Sequence, residues 1–214
     1  MANFEYIVSS LPVLTREYSY SEGMTFGSVL DEIRSDLDGR DNEAVDFLLK
    51  GFDSDSLGDD FYARAIAHPV PFIREYFRFD LNLRNEKVRW LNKTLSRHSD
   101  QDIITGYSPD SQDADIDGFL FTGGEFPERD QALSVLSLSD LIEREKGLDD
   151  MMWSKIDELT LFHYFDLTAV LGFISRLHIV DRWLVLDPET GKERFRKLVK
   201  DLESTSPEIR YNER

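Results

Sequence analysis

WSKIDELTLFHYFDLTAVLGFISRLHIVDRWL, residues 153–184, is the stretch that decides the fold. From Asp166 it reads as a helix. The Asp166 carboxylate can accept the free N–H groups of a first turn. Leu167, Val170, Leu171, Ile174, Leu177 and Leu184 then recur at helical spacing on one face. Phe173, Ile179, Val180 and Trp183 add a second apolar face. A helix that is apolar on most sides must be surrounded by other elements. Gly172 costs helix stability relative to alanine, so its expected use is to admit a close neighbour. The preceding segment, Leu148 to Phe165, supplies Met151, Met152, Trp153, Ile156, Leu159, Leu161, Phe162 and Phe165. Two helices meeting near His163–Asp166 are the expected centre of the core, with Trp153, Phe162, Phe165 and Trp183 inside it.

Working outward, the rest of the chain is also mainly helical. Thr25 to Leu37 turns Phe26, Val29, Leu30, Ile33 and Leu37 to one side. Asp41 to Lys50 reads as a helix capped by Asp41 and closed by Gly51 in a left-handed turn. Phe61 to Ala67 is a short helix. After Pro69 and Pro71 a long one begins, with Phe72, Tyr76, Phe79, Leu83, Val88, Leu91 and Leu95 as its apolar stripe. Asp80 and Arg84 share a face of it and can pair. Helical spacing returns from Gln131 through Leu133, Leu136, Leu138, Leu141 and Ile142, and once more over Lys192–Leu202. Phe4 to Leu11 is short, β-branched and aromatic, and reads as an edge strand or an extended segment.

Ser99 to Asp130 differs in character: nine acids and two prolines stand against a single arginine. It reads as a long surface connection. The expected architecture is one mainly α, bundle-like helical domain over 1–214, with 1–98 and 131–214 as candidate subdomains joined by the acidic loop 99–130.

The formal net charge of −17 disfavours nucleic acid and anionic lipid, both of which are held through Lys and Arg. No apolar run approaches the roughly 20 residues of a membrane span. The start, MANFEYIVSSLP, lacks the basic and apolar pattern of a secretory signal. The chain contains no cysteine, so thiolate metal sites are excluded. A cytoplasmic protein without direct membrane insertion is the expectation.

Candidate chemistry is sparse. Asp113, Asp115 and Asp117, followed by Gly118, space carboxylates as in the first half of a calcium-binding loop. The second half departs from that pattern, because Gly124 stands where a bidentate glutamate belongs. The four histidines show no zinc spacing. His163 beside Asp166 is a candidate general base, with a hydrogen-bonded structural role as the plainer alternative. No phosphate-loop pattern occurs, and no cofactor is implied. Lys192, Arg196 and Lys200 form a basic stripe, read either as a docking face or as a solvated helix surface.

Two blocks carry a resemblance. FEYIVSSLPVL, residues 4–14, resembles the opening of a bacterial protein family encoded inside V-type ATPase gene clusters. WSKIDELTLFHYFDLTAVLGFISRLHIVDRW, residues 153–183, resembles its C-terminal signature. FDLNLRNEKVRWLNKTL, residues 79–95, is similar to helices of the C (or d) subunit of the rotary ATPase, where an acid and an Arg-Asn recur; Asp80, Arg84 and Asn85 fill those places here. That subunit is longer and has three similar helical units, and this chain shows no such repeat. The resemblance implies a non-catalytic accessory or central-stalk (C/d-like) subunit with V-type ATPase subunits as partners, peripheral to the membrane through that complex. The alternatives are a transient assembly or regulatory factor, a calcium-binding helical protein using 113–118, and an acid/base hydrolase around His163 and Asp166.

Overall fold

A computed structural model describes residues 3–16, 25–104 and 126–185. Within them the chain forms eight α-helices and no strand. They are α1 (Phe4–Ser10), α2 (Phe26–Asp36), α3 (Gly39–Lys50), α4 (Asp59–Ile66), α5 (Pro71–Thr94), α6 (Arg129–Leu136), α7 (Leu141–Thr160) and α8 (Leu167–Val185). The all-α expectation therefore holds.

Its one strand-like segment does not. Phe4–Ser10 is helical, because Phe4, Ile7, Val8 and the C-cap Leu11 also satisfy helical spacing and all four meet the core. Asn3 caps it by accepting from the Tyr6 N–H at 3.2 Å.

α8 is the axis. α1, α2, α3, α5 and α7 all pack on it, which accounts for its apolar faces. Val170, Leu171, Ile174, Leu177 and Val180 are fully buried. Asp166 caps it through the Ala169 N–H at 3.1 Å. Gly172 lies where α7 crosses. A β-carbon there would fall 2.3 Å from Thr160 Cγ2 and 3.4 Å from Ile156 Cγ2, so the helices approach as closely as they do only because it is glycine. The second axis, α5, packs on α4, α6, α7 and α8.

Several local expectations change. Asp38, not Asp41, caps α3, accepting from the Asp41 N–H at 3.1 Å. Gly51 ends α3 in right-handed geometry, with φ −74°. Its glycine is needed for space instead: a β-carbon would sit 2.2 Å from Phe77 Cζ and 2.8 Å from Phe61 Cζ. The left-handed closure falls on Ser96, φ 54°, after α5. There Arg97 N–H donates to Asn92 O at 2.8 Å and Ser96 N–H to Lys93 O at 3.2 Å, the paired bonds of a Schellman turn. The pattern from Gln131 to Ile142 is two helices, since Asp140 caps α7 through the Glu143 N–H at 2.9 Å. Leu138, Leu141 and Ile142 are exposed at that break, as are Leu91 and Leu95 at the end of α5.

The polar side of α5 pins its neighbours. Asn85 is buried, donates to Ile104 O at 2.7 Å and accepts from Ile104 N–H at 3.0 Å. Asn92 holds Ser99 O and Gln101 O. Glu86 accepts from Arg89 and from Arg129. Residues 99–104 and 126–129 thus belong to the folded body rather than to a free acidic connection. Among the described residues no helix is long and apolar enough to cross a membrane.

Candidate functional site

Two features stand out where α5, α7 and α8 meet. The first is the turn from α7 to α8. Leu161 is 60%, Phe162 80%, Tyr164 66% and Phe165 54% exposed. This overturns the assignment of Phe162 and Phe165 to the core and of the helix junction to its centre. Trp153 is buried as expected, and Trp183 is partly buried. The turn is nonetheless held. His163 N–H donates to Thr160 O at 2.9 Å, and His163 Nδ1 lies 2.6 Å from Asp166 Oδ2 while Asp166 Oδ1 caps α8. Below it Arg176 binds Asp157 Oδ1 at 2.8 Å and Thr160 Oγ1 at 2.8 Å, and Arg16 binds Asp157 Oδ2 at 2.8 Å. His163 and Asp166 therefore serve as a brace for the turn, both about half exposed, and not as a sequestered acid/base pair.

The second feature is a charged cleft of about 160 Å³. α5 contributes Asp80, Arg84 and Lys87, α7 contributes Glu145 and Asp149, and α8 contributes Arg182. Lys87 and Glu145 span the cleft at 2.7 Å. Asp149 is buried; it pairs with Arg182 and accepts from the Trp183 indole N–H at 2.6 Å. Burial raises its carboxyl above the usual range, against the opposing pull of Arg182. Asp80 and Arg84 do not pair directly among the described residues. The buried Tyr62 of α4 stands between them: its hydroxyl donates to Asp80 Oδ2 at 2.5 Å and accepts from Arg84 Nε at 3.1 Å. Burial raises Asp80, with Arg84 and the Tyr62 hydrogen bond pulling the other way. It also pushes the Tyr62 and Tyr76 phenols up.

One turn before Arg182 on α8, His178 stacks on Phe52 with ring centroids 4.0 Å apart and meets the edge of Phe26. Burial, then the Arg182 charge, lowers it to about 4.

The sequence singled out neither Tyr62 nor Asp149. An acid inside the apolar run Leu148–Ile156 was the available signal for Asp149, since buried carboxylates need partners. Asp113, Asp115 and Asp117 lie outside the described residues, as do Lys192, Arg196 and Lys200. Among the described residues no group of three or more His, Asp or Glu is placed to hold a metal ion.

These are the features of an all-helical protein with an apolar tip and a buried polar seam. The model of a family described as "Protein of unknown function (DUF2764)" matches residues 53–206, and the chain belongs to that family. No curated protein and no solved structure matches it.

Proposed function

We propose that this protein is a non-catalytic docking subunit of a V-type ATPase assembly, and that the α7–α8 tip is its contact. The observation that supports this is the exposure of Leu161, Phe162, Tyr164 and Phe165 together on a braced turn. Contiguous exposed apolar surface marks interaction sites, and buried aromatics dominate binding energy at protein interfaces. A turn already held by Asp166 and His163 loses little further freedom on binding. The tip also falls within the 153–183 block that resembles the family encoded in ATPase gene clusters. The acids beside it are already paired, Asp157 with Arg16 and Arg176 and Glu158 with Lys155, so its aromatic side chains rather than net charge carry the contact. Lys192, Arg196 and Lys200 carry no part of this reading.

The test is an affinity pull-down of tagged protein from native membranes, comparing wild type with Phe162→Ser/Phe165→Ser. Catalytic, stalk and ring subunits are expected in constant ratio with the wild type and depleted with the variant. A wild type that comes down alone after mild cross-linking overturns the proposal. Variable, substoichiometric recovery assigns the chain to a transient assembly factor instead.

A further inference from the structure

The charged cleft poses a separate question, independent of the docking tip. Each of its three carboxylates is already engaged: Asp80 by Tyr62, Asp149 by Arg182 and Trp183, and Glu145 by Lys87. Arg84 is different. It spends Nε on the Tyr62 hydroxyl, and its two terminal nitrogens have no hydrogen-bond partner among the described residues. They are not buried dead ends, because Arg84 lines the open cleft. The Tyr62 bond fixes one edge of the guanidinium and leaves its fork ready.

A guanidinium fork matches a carboxylate with two parallel hydrogen bonds. Beside it, Leu83, Leu148 and Met152 give the cleft an apolar portion. We propose that this cleft binds a small organic monocarboxylate, its carboxylate on the Arg84 fork and its short apolar tail against Leu83, Leu148 and Met152. The cleft is well below the roughly 300 Å³ at which drug-sized pockets begin, which limits the tail to a few carbons. The wall carboxylates disfavour a dianion such as phosphate.

The test is calorimetry on the full chain with propionate, butyrate and valerate, against propylammonium and inorganic phosphate as controls. Saturable one-to-one binding of the carboxylates alone is expected, weakened on the order of tenfold by Arg84→Gln and less by Arg84→Lys. Carbon-13 methyl NMR of the wild type gives a reading that survives any misfolding of the variants. Butyrate should shift the Met152 methyl and leave Met1 unmoved. No saturable carboxylate heat, equal binding of phosphate, or an unmoved Met152 methyl each overturns the proposal.

Discussion

Asp80 and Arg84, one turn apart on α5, meet only through the hydroxyl of Tyr62 from α4. An i, i+4 acid–base pair on a solvated helix contributes a few tenths of a kcal/mol. Here the same two residues are joined by a third, so the polar contact also ties two helices together.

Tyr62→Phe should therefore cost more than a surface pair suggests. It deletes the donor to Asp80 and the acceptor of Arg84 and leaves a half-buried carboxyl short of a partner, a loss of about 1–3 kcal/mol. Urea unfolding of the variant beside the wild type measures it. A change within error would show that the bridge contributes nothing to the fold.

His178 gives a pH dependence of defined sign. Its folded pKa of about 4 lies below the ordinary 6.5, so between these values the unfolded chain binds more protons. Its contribution is complete above about 6.5 and is lost as pH falls toward 4. Asp80 and Asp149, raised in the folded state, act in the opposite direction, so the wild-type curve alone mixes the effects. The comparison that isolates the histidine is His178→Phe, which can keep the stack on Phe52. Denaturation across pH 4–7 should show the variant losing less stability on acidification; parallel curves would refute the assignment.

Two helix ends make opposite predictions. Gly51→Ala should destabilise by about 1–3 kcal/mol, because the added methyl meets the Phe77 and Phe61 rings. Ser96→Gly should stabilise by roughly 1 kcal/mol, since left-handed backbone costs any residue with a β-carbon. Thermal denaturation of both resolves the two signs.

Phe162→Ser is expected to leave stability within about 0.5 kcal/mol of wild type, as surface substitutions do. A loss of several kcal/mol would place the ring in a core after all, and with it remove the support for the docking tip.

Much of this architecture was readable from side-chain spacing. The apolar faces of α8, its Asp166 cap and the close approach at Gly172 all follow from local chemistry that the fold leaves intact. The errors share a cause. Periodicity records that Phe162 and Phe165 are apolar, not whether the protein covers them, and a turn breaks the helical face that would have turned them inward. Phe4–Leu11 fitted two periods, and only packing chose between them. The cleft was less accessible still, because Asp80, Asp149 and Arg182 lie far apart along the chain and become neighbours only when α5, α7 and α8 pack.

The grip of α5 on its surroundings bears on how this protein can be engineered. Asn85 holds Ile104, and Glu86, the next residue, holds Arg129. The chain is thus staked on consecutive residues of one helix before and after positions 105–125. Any redesign that removes this one turn of α5 would release both flanks at once, whereas Asn85→Ala and Glu86→Ala each release only one of them.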